Sequence, residues 1–460
     1  MSSEKKKKKA GKLTRLFWNW DHSTNWCLNT IGRQNTGVAN PYTKRGDEFV
    51  KDYMRMIDFC AENHIHAVGA VGLLRDIHGG WNDARRICEY GHKRGVVVYM
   101  IAGLYSYGGI YYEGNSPLSL NRFLEKNPEC MARDFCGEPK FLRFSYPHGA
   151  RVDPSACPSD PRVRNFVLDS LAYLFSMLPE LGGIQMEVGD SGMCMCESCR
   201  ARRAANGGGE SRLPSLSLSD MAEIYPEAAS VIRGVSKNAW IICENYVHFL
   251  NNKAFSDPDS PAMRKLLAMP DDVFWQWSDR RLKPGMWTDD VRLPEHLRRF
   301  RHIMRCHHGT QWDGGRHTLV VEKIREQCRL TSLSGMTAVS IFGECSPFHA
   351  NTEFNYLALS YFGDDPQASL ASFIEDVMKP RLGGSFARAE RYVEFAALTA
   401  DPAKIPAAVA EIAKIIGRLG GNHDAVRRWM YLGSFLNAYH YEFLQQNSAR
   451  TGEKVNLDLI

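Results

Sequence analysis

Between about residue 13 and residue 363, a short run rich in apolar, β-branched and aromatic residues is followed, eight times over, by a stretch with helical spacing. The runs are LTRLFWNW, HAVGAVGLL, VVVYMIAGLY, GGIQMEVGD, AWIICENYV, DDVFWQWSDR, RHIMRCHHGTQW and MTAVSIFGE. In the helical stretches apolar residues recur every three or four positions, as Phe49, Tyr53, Met56 and Ile57 do. LPEHLRRF, between the sixth and seventh runs, also reads as a helix. Strands alternating with helices imply a parallel sheet, and eight such units fit an α/β fold of the (β/α)8 TIM-barrel type. A doubly wound open sheet is the competing architecture. It usually carries a glycine-rich phosphate turn after its first strand, and WNWDHSTNW has none.

The domain layout follows. Residues 1–12 read as a basic, solvated tail, residues 13–365 as the barrel, and residues 366–460, purely helical in pattern, as a small C-terminal α-helical domain. A chain of 460 residues suits such a division, being too long for one ordinary core. Two stretches interrupt the barrel rhythm, at about 105–160 and 191–217, and both follow strand C-terminal ends, where barrel enzymes build their sites.

Charge narrows the partners. The formal net charge is +5, and Lys5 to Lys9 alone supply five positive charges. The rest is close to neutral, which speaks against nucleic acid as the main partner. No apolar run approaches the roughly 20 residues of a membrane helix, and MSSEKKKKKAGK lacks the apolar core of an export signal. Thirteen cysteines in no disulfide-framework spacing point to free thiols in a reducing cytoplasm. Oligomeric state leaves no signal.

In a barrel, polar residues at strand C-termini converge on one pocket. The first run supplies Trp20, Asp21 and His22, the fourth Glu187 and Asp190, and the fifth Glu244 with Asn245 and Tyr246. The sixth supplies Trp275, Trp277 and Asp279, the seventh His307, His308, Gln311, Trp312 and Asp313, and the eighth Glu344. Several carboxylates among many aromatic rings suit glycosidic bond cleavage. One carboxylic acid protonates the leaving oxygen, and a second carboxylate attacks or activates water. Aromatic faces cover the apolar faces of sugar rings, and polar side chains bond the hydroxyls. Glu187 and Glu344 each follow an apolar run, an environment that favours a protonated acid. The expected catalytic set is therefore Glu187 as proton donor with Glu344 or else Glu244 as partner, and Asp190 close by. Trp20, Asp21, His22, Trp277, His308, Trp312 and Asp313 are the expected substrate contacts.

Cys194, Cys196 and Cys199 stand in CxCxxC spacing just after the fourth run. They offer three soft ligands where tetrahedral zinc needs four. Cys130, Cys136 and Cys157 lie in the other insertion. A structural zinc stapling the two insertions and a set of reduced thiols are both open readings, and catalysis itself calls for no cofactor. No Walker loop, HExxH or GxSxG motif occurs.

The segment GIQMEVGDSGMCMCESC, with ACPSDPRVRNFV before it, resembles the hexosaminidase- and α-glucuronidase-like barrels of uncharacterised bacterial carbohydrate-degradation proteins, where a strand-four acid precedes a C-x-C-x-x-C loop. LFWNWDHSTNW and SIFGECSPFHANTEFNYLALSYF also look like predicted barrel glycosidases. The resemblance covers roughly residues 13–365. It implies a glycoside hydrolase fold and an oligosaccharide or small glycoside as substrate, and it carries the strand-four acid onto Glu187. Hexosaminidases place Asp and Glu adjacent. Here the order is Glu-Val-Gly-Asp, which points to two-carboxylate rather than substrate-assisted catalysis. A non-catalytic carbohydrate-binding barrel and a metal-dependent sugar enzyme built on His307, His308 and the carboxylates are the alternatives.

Overall fold

The computed structural model describes residues 11–20, 47–76, 79–146, 149–188, 192–206, 217–251, 253–279, 282–308, Thr310, 317–347 and 351–452. Its centre is a closed barrel of eight parallel strands: β1 (Thr14–Trp20), β2 (Ala67–Val71), β3 (Val97–Gly103), β6 (Gly183–Glu187), β7 (Trp240–Glu244), β8 (Phe274–Ser278), β9 (Arg301–Arg305) and β10 (Ala338–Phe342). They neighbour one another in chain order, and β1 pairs with both β2 and β10 to close the ring. The eight sequence runs are these eight strands. Four of them are buried along their whole length, because helices cover the outside and side chains fill the inside. That two-sided burial is why they read as unbroken apolar runs.

Two strands, β4 (Phe141–Tyr146) and β5 (Gly149–Pro154), form a separate antiparallel hairpin inside the insertion after β3. FLRFSY and GARVDP, two residues apart in sequence, carry strand alternation that the insertion's Gly and Pro content obscures. A second departure follows β8. The expected LPEHLRRF helix is only a 3-10 turn, Glu295–Leu297, since Pro294 starts it and β9 begins at Arg301.

Period two sorts each strand. Leu16, Trp18, Tyr99, Ile242, Phe274, Ile303 and Phe342 form one cluster within the lumen. Phe17, Val68, Met186, Cys243, Trp275, Trp277 and Met304 belong to the larger cluster between strands and helices. Gly69 is a glycine by necessity: a Cβ there would sit 2.2 Å from Cζ of Tyr99, whose ring fills the lumen beside it.

Beyond Asp364 the chain is helical, ending in Phe386–Ala396, Ile405–Leu419 and His423–Thr451. Arg428 of the last helix grips Glu353, on the helix after β10, through two 2.7 Å hydrogen bonds. Among the described residues no helix is long and apolar enough to cross a membrane.

Candidate active site at the strand C-termini

Glu187 and Glu244 end neighbouring strands and occupy the lumen-facing positions of β6 and β7. Glu187 is 5% exposed and Glu244 is fully buried. One amide joins them: Gln185 Nε2 donates to Glu187 Oε1 and to Glu244 Oε2, each at 3.1 Å. Those two oxygens are therefore no more than about 6 Å apart, whereas carboxyl pairs lie roughly 5–5.5 Å apart in retaining and 6.5–9.5 Å apart in inverting glycosidases.

A buried carboxylate is stable only if other groups replace its water. Several described groups do this for Glu244. The Gln276 amide reaches Oε2, the Tyr246 backbone N–H donates to Oε1 at 2.9 Å, and Arg305 Nη2 lies 3.2 Å from Oε1. Gln185 is another. Glu187 accepts from the Tyr246 hydroxyl at Oε2, and Arg305 Nη1 stands 3.7 Å from its Oε1. Arg305 thus sits against both carboxylates. Its guanidinium lies 5.2 Å from the ring centre of Trp18 and 5.1 Å from that of Tyr246, two aromatic faces that favour the cation.

The backbone bends to make this arrangement. Tyr246 has φ +49°, a left-handed conformation that costs a non-glycine residue about 1–3 kcal/mol. The bend lets one residue donate to both carboxylates, from its N–H and from its hydroxyl. Behind the strands, Tyr225 Oη lies 2.8 Å from Met186 O and 3.1 Å from Glu244 O, tying β6 and β7 from outside.

Glu344, two residues past β10, is also fully buried at the same end of the barrel. The Gly343 N–H donates to Trp18 O at 3.1 Å, which sets this segment beside β1. Trp18 reaches the lumen, with its Nε1 donating to Cys306 O at 3.1 Å and its ring 5.3 Å from that of His307. His308 turns instead toward Asp279, with Nε2 and Oδ2 3.7 Å apart.

Trp277 requires a correction. Gln276 spends its amide on Glu244, so period two turns Trp275 and Trp277 outward. Trp277 is fully buried against Phe255, and its indole N–H donates to His302 Nδ1 at 3.0 Å. It contributes packing outside the lumen and no sugar-facing surface. Trp20 ends β1 in register with Val71. Asp21, His22, Asp190, Trp312 and Asp313 lie outside the described residues. Cys194, Cys196 and Cys199 do come together, and Cys157 from the other insertion joins them. Gln185, Gln276 and Arg305 are the site residues the strand-end inventory missed. For the glutamines a signal was present: Gln185 and Gln276 each fall among apolar neighbours inside a strand, Gln185 at the parity of Glu187, whereas Arg305 closes the more polar RHIMR.

No protein-family model matches this sequence, and no curated protein matches it. Solved structures do share its architecture. A GH138 enzyme targeting pectin rhamnogalacturonan II is 11% identical with a TM-score of 0.50; the match covers 98% of this chain and 61% of that one. A noncanonic maltogenic α-amylase from Thermotoga neapolitana is 10% identical over 76% of each chain, with a TM-score of 0.45. An α-galactosidase from Thermus thermophilus is 14% identical over 73% of this chain and 59% of that one, with a TM-score of 0.36. At such identities the likeness speaks for the fold: the chain is a (β/α)8 barrel with a C-terminal helical region.

Proposed function

We propose that this protein is a glycoside hydrolase acting on an oligosaccharide or small glycoside by two-carboxylate catalysis. The observation that carries the reading is the Glu187–Glu244 pair, held by one amide and one guanidinium at the C-terminal end of a barrel. Glu244 has the closer guanidinium contact, 3.2 Å against 3.7 Å, which favours its anionic form and the part of nucleophile or base. Glu187, the more exposed of the two, delivers the proton. Of the two partners expected for Glu187, Glu244 is favoured over Glu344 because hydrogen bonds tie it to Glu187. The separation favours a retaining course. Trp18, Tyr246 and the stacked pair Tyr107 and Tyr112 supply aromatic surface. The two tyrosines come from the insertion after β3 and pack with the lumen residues, and we take the action to be exo, on a chain end. The finer kinship with hexosaminidase- and glucuronidase-type barrels rests on the sequence motifs.

The test is a screen of purified protein against nitrophenyl glycosides and plant or algal oligosaccharides, with Glu187→Gln in parallel. Wild type should release sugar and continue to do so in chelator. The variant should lose about 10²–10⁴-fold in kcat, the usual contribution of a general acid, while still binding the sugar. Near wild-type turnover by Glu187→Gln removes that residue from the role. A folded wild type that binds sugars and releases none is a binding barrel instead.

A further inference from the structure

We propose that Cys157, Cys194, Cys196 and Cys199 form a tetrathiolate zinc site that staples the insertion after β3 to the loop leaving β6. The proposal is independent of the glycosidase reading. The four sulfurs all lie within 4.8 Å of one another. Cys157 Sγ is 3.8 Å from Cys194, 3.7 Å from Cys196 and 3.6 Å from Cys199. A zinc ion with tetrahedral Zn–S bonds of about 2.3 Å sets its sulfurs about 3.8 Å apart. A disulfide would need about 2.05 Å, roughly half of that. The spacing is therefore that of ligands around a shared centre. Three of the cysteines are buried and Cys196 is partly so, the closed surroundings of a structural rather than a catalytic metal.

The neighbourhood supplies what thiolates require. The Arg133 backbone N–H points at Cys194 Sγ from 3.3 Å, and Ser159 Oγ lies 3.1 Å from Cys199 Sγ. Four thiolates around Zn²⁺ carry a net charge of −2, and cations stand beside them. Arg202 Nη2 is 3.9 Å from Cys199 Sγ, Arg203 Nη2 donates to Cys194 O at 2.8 Å, and Lys140 Nζ donates to Met193 O at 2.9 Å. Loading releases the thiol protons to solvent and changes no oxidation state. Soft sulfur ligands select zinc over magnesium, calcium or manganese.

Placement gives the site its purpose. Cys157 lies just before the helix Pro161–Met177, and the other three lie at the start of Glu197–Ala205. One ion therefore fixes two loops whose sequence positions are distant, and anchors the chain a few residues beyond Glu187.

The test uses the full chain, expressed with zinc and purified without chelator. Metal analysis should find one zinc per chain. Cys157→Ser and Cys196→Ser should lose it, and Cys136→Ser, an exposed cysteine outside the cluster, should keep it. Should the serine variants fail to fold, wild type still decides: stripping the metal should make four further thiols reactive toward a thiol reagent. Replacement by Co²⁺ should give the intense visible absorption of a tetrahedral tetrathiolate. Wild-type zinc no higher than in Cys157→Ser, iron in place of zinc, or an intact mass lighter by the hydrogens of two disulfides would overturn the proposal.

Discussion

Arg305→Gln isolates the electrostatic claim on which the site rests, and needs no substrate. It removes the charge between Glu187 and Glu244 and keeps a polar side chain of moderate size. The two carboxylates then face each other within about 6 Å, almost wholly shielded from water. At an effective dielectric of ~20, charges ~6 Å apart repel by roughly 3 kcal/mol. One carboxylate of the variant should therefore take up a proton at a higher pH than an ordinary carboxyl does. Its folded-state affinity for the proton is raised, so the penalty is fully present at neutral pH and is relieved as pH falls toward the ordinary carboxyl range. Breaking a buried pair costs about 3–5 kcal/mol. The stability gap between wild type and variant should be of that size at about pH 7.5 and smaller by about 2–3 kcal/mol at about pH 4.5. Urea denaturation of both proteins across that range reads the gap directly, and titrations common to both cancel. A gap that stays constant with pH would mean that the carboxylates are not coupled through Arg305, and the proposed division of roles between them would fall.

The other predictions probe the frame around the site. Gly69→Ala puts a methyl group into the Tyr99 ring and should lower stability by about 1–3 kcal/mol, the usual cost of overpacking; calorimetry showing an unchanged Tm would mean that ring is free to move. His302 accepts from the Trp277 N–H at Nδ1 and donates from Nε2 to Leu297 O at 2.8 Å, and burial pushes it down to about 4. The unfolded chain thus binds the proton more readily, and stability should fall as pH drops from ~6.5 to ~4, by about 3 kcal/mol from this residue. His302→Leu should remove that share of the acid sensitivity in denaturation curves, and an unaltered pH slope would refute the assignment.

The barrel was legible because its strands are buried on both faces. Each becomes a short apolar run, and the helices between them show a different period. The same two-sided burial hid the orientation of the side chains. In VFWQWS both parities are apolar enough for a core, so Trp277 looked as well placed as Gln276 to face a sugar. What separates the parities is polarity: Gln185 and Glu187, Glu244, Gln276, and Arg305 all stand on the lumen side. Polar groups are tolerated at such depth only when they satisfy one another. A glutamine or arginine inside an apolar strand is therefore a sharper marker of the lumen face than a tryptophan. Pairings distant in sequence had no comparable signal. The hairpin β4–β5 lay in a stretch whose glycines and prolines read as loop, and Cys157 was one of three cysteines in the insertion with nothing to rank them.

The roles of the two glutamates were beyond any reading of strand ends for a related reason. An acid at a strand terminus becomes proton donor or nucleophile according to the donors around it, and here these come from three strands and a left-handed turn. Gln185 serves both acids, Gln276 only Glu244, Tyr246 both through different atoms, and Arg305 stands between. Loss of any one member leaves another buried and short of a partner. Conservative replacements such as Gln185→Glu or Arg305→Lys should therefore disturb both carboxylates together, because the network, and not either residue alone, sets which of them holds the proton.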